Sequence, residues 1–299
     1  MNFIVHCGCP RAGSTVLQKH LLPRCRSNLV IQKEPYGSSG YNAEEDHATD
    51  LISEATIAGA IESRSQQTLT HILRKDIVTP CLHMASNKPN PEYHDRLSST
   101  ISSLRRHSRS DVLISSERLI QTSAGLLGEP HHRKNADLTP GLFSLISVLS
   151  ELGATTHIII VLREPLSHLR SIYSWTRNNR ARLGIKAISA SEFIANQARL
   201  EERYSGSSCL SFCNHKAIIK SLQRYAFVKA VDFSKLTRAS DALGVLGLMN
   251  EDVLSFSQYP REHQTRIAHE DREMIDRQII QALKEFGLIK PLVDGQMYS

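Results

Sequence analysis

Ile4-Val5-His6-Cys7-Gly8-Cys9-Pro10-Arg11-Ala12-Gly13-Ser14-Thr15-Val16-Leu17-Gln18 decides how this chain is read. Ile4 to His6 is short and apolar enough to form a strand, and Gly8, Pro10 and Gly13 mark a turn after it. From Ser14 the apolar spacing becomes helical, with Val16, Leu17, His20 and Leu21 facing inward and Pro23 ending the run. Strand, glycine-rich turn and helix start is the local order from which parallel α/β sheets are built.

Outward from this stretch the same alternation continues. Leu29 to Gln32 fits a second strand, Asp111 to Ser115 a third, and His157 to Leu162 a fourth. The unbroken branched run of the fourth predicts burial on both faces. An amphipathic stretch from Leu142 to Leu152 can cross over the sheet, and Pro165 suits the first turn of the next helix. Phe227 to Val231 reads as a fifth strand. A charged helix from Arg266 to Phe286 places Ile275, Ile279, Leu283 and Phe286 on one side, and is expected to pack over the sheet. Between Pro35 and Arg109 helical stretches such as Leu51 to Ile61 are separated by polar segments. With no internal repeat and no linker, the pattern predicts one α/β domain over residues 1–299, three-layered around a parallel sheet, with helical insertions at about 36–110 and 178–215.

Composition narrows the class. Apolar residues are 40% and charged residues 22% of the 299, the balance of a globular chain that can bury a core. The longest apolar run, Ile158 to Leu162, falls far short of the ~20 residues of a membrane helix, so no membrane association is expected. The opening Met1-Asn2-Phe3-Ile4-Val5-His6 lacks the basic region, apolar core and cleavage site of an export signal. Six cysteines, Cys7, Cys9, Cys25, Cys81, Cys209 and Cys213, are too scattered for a disulfide framework and are read as reduced thiols. A cytoplasmic protein is the expectation. Cys209, Cys213 and His215 lack a second ligand pair with finger-like spacing, so no metal site is read there. The net charge of +6 suits either an anionic partner or a solvated basic surface. Only 6% of residues are aromatic and no recognition module is visible, which disfavours nucleic acid.

Gly8 to Thr15 has the glycine spacing of a phosphate-cradling loop, G-x-x-x-x-G-K-[ST], except that Ser14 stands at the lysine position and Arg11 is three places earlier. Backbone amides at a helix start still favour an anion there, while the triphosphate-specific contact is weakened. A glycine turn that merely joins strand to helix is the competing reading.

Cys9-Pro10-Arg11-Ala12-Gly13-Ser14-Thr15 is similar to the phosphosulfate loop, [ST]-x-P-[KR]-[ST]-G-[ST]-[ST], of the sulfotransferases that use 3′-phosphoadenosine 5′-phosphosulfate. That family carries a second signature, an arginine at the end of a later strand and a serine eight residues on, which together bind the donor's 3′-phosphate. Val161-Leu162-Arg163-Glu164-Pro165-Leu166-Ser167-His168-Leu169-Arg170-Ser171-Ile172-Tyr173 resembles it, with Arg163 and Ser171 at the required separation. The resemblance covers the loop and the sheet core, and hardly touches Pro35 to Arg109 or Asn178 to His215. It implies a P-loop-like fold and a donor site made of Arg11, Ala12, Gly13, Ser14, Thr15, Arg163 and Ser171. It further implies transfer of a sulfuryl group to a hydroxyl or amine of a small-molecule or carbohydrate acceptor. Without the family, an arginine at the carboxyl end of a buried strand is still well placed for a phosphate. A surface arginine paired with Glu164, and a serine at a helix contact, are the alternatives.

Sulfuryl transfer needs a base for the acceptor's proton and positive charge on the leaving phosphate. Arg11 and the loop amides can supply the charge, and no metal is called for. Two carboxylates follow strands at the expected ligand edge, Glu117 in Ser115-Ser116-Glu117 and Glu34 in Gln32-Lys33-Glu34-Pro35. Glu117 matches the place where related sulfotransferases carry a catalytic His or Glu and is preferred, with Glu34 its rival. Either can instead cap a helix or pair with Lys33 or Arg118. His6 and His83 are weaker candidates, more naturally packed residues. Basic clusters at Arg105, Arg106, His107 and Arg109, and at His131 to Lys134, read as solvated faces. Arg177, Arg180 and Arg182 are placed to steer an anion, and Arg261 to close over the donor. A kinase-like or NTPase enzyme with a displaced basic residue, and a nucleotide-binding relative without turnover, remain the alternative readings. Neither the acceptor's identity nor the oligomeric state is encoded in these motifs.

Overall fold

The computed structural model describes residues 1–8, 18, 22, 25, 28–32, 52–84, 90–116, 119, 140–203, 209–224, 226–232 and 269–288. Five strands form one sheet: β1 (Asn2–Gly8), β2 (Leu29–Gln32), β3 (Val112–Ser115), β4 (Thr155–Leu162) and β5 (Phe227–Asp232). Their spatial order is β2-β3-β1-β4-β5 and every pairing is parallel, so all five carboxyl ends lie along one edge. The strands are those the sequence predicts. β1 is longer than Ile4 to His6 because β4 pairs with it from Asn2 through Gly8.

Alternation along the strands separates two faces. Phe3, Val5, Cys7, Ile31, Ile114, Ile158 and Ile160 join the main core with the helices. Ile4, His6, Leu113, Ser115 and Ile159 occupy the alternate positions and are buried too. The strand order explains this. From β1 the chain moves to one side to reach β2, whereas from β2, β3 and β4 it moves to the other. With right-handed crossovers the β1–β2 connection must therefore lie on the opposite face from the rest. Gln18, from that connection, donates through Nε2 to Ser115 Oγ at 3.1 Å on that opposite face. The architecture is thus a three-layer α/β fold around an all-parallel sheet.

The main face is covered first by α1 (Glu54–Ser63), α2 (Gln66–Ile72), a wider π-helical turn (Leu73–Val78) and α3 (Thr79–Met84). The long α4 (Pro91–His107) and α5 (Pro140–Glu151) complete this part. Ser53, Ser65 and Asn90 accept from backbone N–H groups in the first turns of α1, α2 and α4, which sets where the helices begin. Gln66 Nε2 and Thr70 Oγ1 of α2 both donate to the Gln32 carbonyl, pinning α2 to the carboxyl end of β2. Inside this layer Arg96 Nε meets Asp76 Oδ1 at 2.6 Å, with the Asp76 side chain 1% exposed. Burial raises the Asp76 carboxyl and Arg96 opposes it, with burial the larger effect.

After β4 come α6 (Pro165–Arg182), α7 (Ala190–Arg203), a 3₁₀ turn at Ser211–Cys213, α8 (His215–Leu222) and, following β5, α9 (His269–Glu285). The expectation that the last helix packs over the sheet is corrected here. α9 lies against α7 and α6. Ile275, Ile279 and Leu283 form its buried stripe, a width that suits a helix neighbour. Asp276 pairs with Arg170 of α6, and Gln278 Oε1 accepts from the Ala190 N–H at the start of α7. Phe286 does not share the stripe and is 41% exposed, because it follows the last helical residue, next to Gly287 at φ 67°. α6 also runs past residue 178 to Arg182, so the insertion expected from 178 begins inside a helix.

Candidate functional site

The carboxyl edge of the sheet collects the ends of the strands that precede each sequence-predicted site. Gly8 pairs with Val161, so Arg163 stands two residues beyond Gly8's partner on the adjacent strand, at the edge from which residues 9–15 continue. Ser115 pairs with His6 and Gln32 pairs with Ser115, so the segments leading to Glu117 and Glu34 depart from the same edge. Arg11, Ala12, Gly13, Ser14, Thr15, Glu34 and Glu117 themselves lie outside the described residues, as do 131–134 and Arg261. Crossovers leave β1 on one face and β3 and β4 on the other. β1's carboxyl end is therefore flanked by the change of direction at which open α/β sheets take ligands.

Arg163 follows β4, and its surroundings explain its pose. Glu164 turns its carboxylate back on the helix, accepting from Leu166 N–H at 2.9 Å and Ser167 N–H at 2.6 Å. It acts as the N-cap of α6, with Pro165 in the first turn. The pairing of Arg163 with Glu164 considered from sequence is therefore replaced by a cap. Arg163 Nε instead donates to Ser167 Oγ at 3.0 Å. Ser167 and Ser171 are four residues apart and share one face of α6. Sequence reasoning passed over Ser167. The same four-residue spacing, Arg163 to Ser167 to Ser171, was the signal available for it.

Beneath this edge lies a row of polar side chains on neighbouring strands, Gln32, Ser115 and His6, which are 2%, 0% and 0% exposed. His6 Nδ1 and Ser115 Oγ are 2.8 Å apart, and Ser115 Oγ also accepts from Gln18. The Ser116 N–H donates to the His6 carbonyl at 3.1 Å. Burial lowers the His6 pKa to about 4, so the imidazole is neutral near pH 7. With Gln18 donating to Ser115, the consistent pattern has the Ser115 hydroxyl donating to Nδ1 and the proton on Nε2. His6 is thus a structural link between the β1 and β3 ends. It is too buried to serve as the weaker base candidate considered above. His83 lies in α3, stacked on Tyr93 with ring centroids 4.3 Å apart.

No protein-family model, curated protein or solved structure matches this chain.

The basic clusters divide by what they meet. At the end of α4, Arg106 and His107 both contact Glu54 of α1, and Arg105 donates to the Leu152 carbonyl. These contacts hold the Glu54 carboxyl below its usual range, His107 contributing most. A cavity of about 500 Å³ opens beside them at the amino end of β2, lined by Leu29, Ile61, Glu62, Arg64 and Arg109. It is on the opposite edge from the predicted donor loop and so belongs to a different part of the molecule. Of the third cluster, Arg180 Nε donates to the Lys186 carbonyl at 2.8 Å just past the end of α6.

Cys7, Cys25, Cys81, Cys209 and Cys213 are buried thiols without disulfides. Burial pushes the Cys81 and Cys209 thiols up, which makes them unreactive. Among the described residues no group of three His, Cys, Asp or Glu side chains is arranged to hold a metal, and no helix is long and apolar enough to cross a membrane.

Proposed function

We propose that this protein is a sulfotransferase. It moves a sulfuryl group from 3′-phosphoadenosine 5′-phosphosulfate to a hydroxyl or amine of a small-molecule or carbohydrate acceptor. The observation that carries the reading is the β1–β4 register, which brings Arg163 to the edge where residues 9–15 leave β1. The strands that lead into the two sequence motifs are thereby adjacent and end at the same edge, an arrangement that suits one nucleotide bearing phosphates on both sides of its ribose. The capping of α6 by Glu164 supports the same reading, since that carboxylate turns onto the helix backbone while Arg163 Nε donates to the Ser167 hydroxyl.

In this proposal Arg163 and Ser171 hold the 3′-phosphate, while Arg11 and the amides of Ala12 to Thr15 hold the 5′-phosphosulfate. The acceptor oxygen or nitrogen attacks sulfur in line with the leaving phosphate oxygen. The new bond to sulfur forms as the sulfur–oxygen bond to the 5′-phosphate breaks. The acceptor's proton passes to a carboxylate, Glu117 in the preferred assignment and Glu34 in the rival one. Positive charge from Arg11 compensates the bisphosphate product. Nothing in this scheme calls on a metal. The described cysteines, buried and not joined in disulfides, support a reducing compartment, the cytoplasm.

The test is a transfer assay with labelled donor against phenol, alcohol, sugar and amine acceptors. Glu117→Gln is expected to lower turnover about 100-fold or more while donor affinity stays within about twofold. Loss of turnover in Glu34→Gln alone reassigns the base. Donor binding with no transfer to any acceptor class points to a nucleotide-binding relative without turnover, and contradicts the enzyme.

A further inference from the structure

We propose that the turn leaving α6, residues 181–187, docks on an anionic membrane surface, with Leu183 and Ile185 entering the acyl boundary and Arg177, Arg182 and Lys186 meeting the headgroups. Six large apolar side chains are exposed among the described residues, and only these two fall in one turn, Leu183 at 55% and Ile185 at 38% exposure. The way α6 ends accounts for the exposure of Ile185. The Gly184 N–H bonds the Ala181 carbonyl at 3.1 Å, the Ile185 N–H bonds the Arg180 carbonyl at 2.8 Å, and Gly184 sits at φ 67°. In this Schellman ending the apolar residue after the glycine ordinarily packs back on the helix, at the positions held here by Arg180 and Asn179. Both are polar, and Arg180 Nε donates to the Lys186 carbonyl at 2.8 Å. Ile185 is left exposed, two residues from Leu183, on a turn fixed by its own hydrogen bonds.

The charge around the pair selects the partner. From Pro165 to Ser191 the sequence holds no Asp or Glu, while Arg177, Arg180, Arg182 and Lys186 cluster before and after the turn. Among the described residues Arg177, Arg182 and Lys186 are in no ion pair. Cations at a helix C-terminus have an ordinary use in offsetting the negative end of the dipole, but that leaves the apolar pair unexplained. Residues 181–187 are all exposed, and the Tyr173 hydroxyl donates to the Ile188 carbonyl at 3.1 Å. The chain has therefore returned alongside α6 by residue 188, and the turn stands out as a small tip. Such a tip is far smaller than the roughly 20–30 residues a side of a stable protein–protein interface. A lipid surface needs only a few apolar side chains in the acyl boundary and cations beside acidic headgroups. The apolar runs of this chain are too short to span a bilayer, and docking on its surface is a different mode of contact. α6 has 18 residues and is about 27 Å long, which sets the tip a helix length from Pro165 and the carboxyl edge. The inference thus stands apart from what that edge binds.

The experiment is sedimentation of the full chain with phosphatidylcholine vesicles that contain or lack phosphatidylglycerol, which requires neither donor nor acceptor. Wild type should bind the anionic vesicles about 10-fold or more tightly than phosphatidylcholine alone, and lose them as salt rises. Leu183→Gln combined with Ile185→Gln should weaken binding to anionic vesicles about 10-fold or more, and Arg182→Gln combined with Lys186→Gln about 10-fold. Lys220→Gln, at an exposed cation on α8, should leave binding within about twofold. All the substituted side chains are exposed, so each variant should unfold at the wild-type temperature. Binding that responds to the charge changes but not to the apolar pair is general adsorption of a basic protein, and overturns the proposal. No vesicle binding at low salt overturns it as well, and capture on polyglutamate that depends on Leu183 and Ile185 assigns the tip to an acidic protein instead.

Discussion

The two faces of the sheet use the same strands for different ends. On one, Val5, Ile114 and Ile160 are wholly buried hydrocarbon within a core shared with the helices. On the other, the row nearest the carboxyl edge changes to Gln32, Ser115 and His6, equally buried but polar, with Ser115 joined to both His6 and Gln18. An apolar row would bury more favourable surface, and burying polar groups costs unless hydrogen bonds offset it. The difference teaches that the second face gives up packing energy to fix the relative positions of the β1 and β3 ends. Those ends are the ones that lead to the predicted loop and to Glu117, the preferred base.

Two substitutions break this contrast from either side. The larger effect is expected from Ile160→Ala on the apolar face. It should cost about 4 kcal/mol in denaturant unfolding, through lost transfer energy and a residual cavity, with no change in how stability depends on pH. A loss under about 1 kcal/mol would mean that this face is loosely packed.

His6→Gln on the polar face tests the second half. The folded-state pKa of about 4 lies below the ordinary value of 6.5, so the unfolded chain binds the proton more readily. His6 therefore imposes no penalty above pH 6.5 and destabilises the fold progressively as pH falls from 6.5 toward 4. The full penalty is on the order of 3 kcal/mol. Removing the imidazole should flatten the loss of stability across that window. An acid slope as steep in the variant as in wild type would show that His6 is not buried as a neutral group.

Much of the sheet was legible because strands buried on both faces announce themselves as branched runs. Ile158 to Leu162 is the clearest case. The packing partner of α9 was not legible. Its stripe of Ile275, Ile279 and Leu283 declares an amphipathic helix, but periodicity says nothing about whether a sheet or another helix receives it. Phe286 misled for a different reason, since the helical period no longer applies once the chain leaves α9. At the candidate site Arg163 and Ser171 were legible as a spaced pair following a strand. Ser167 was not, because its contact with Arg163 depends on a side-chain rotamer and on Glu164 turning back to cap the helix. The burial of His6 was legible only in part. A histidine in a strand suggests packing, but its hydrogen bond to Ser115 requires the register between β1 and β3. Arg11 to Thr15, Glu34 and Glu117 rest on the sequence reading alone.

The most direct test of the central claim is calorimetric titration of the whole chain with 3′-phosphoadenosine 5′-phosphate, and separately with ATP plus magnesium, for wild type and Arg163→Ala. The account predicts micromolar binding of the bisphosphate without metal, weakened about 100-fold or more by Arg163→Ala. Binding of ATP only, dependent on magnesium and indifferent to Arg163, would contradict it and favour a kinase-like enzyme.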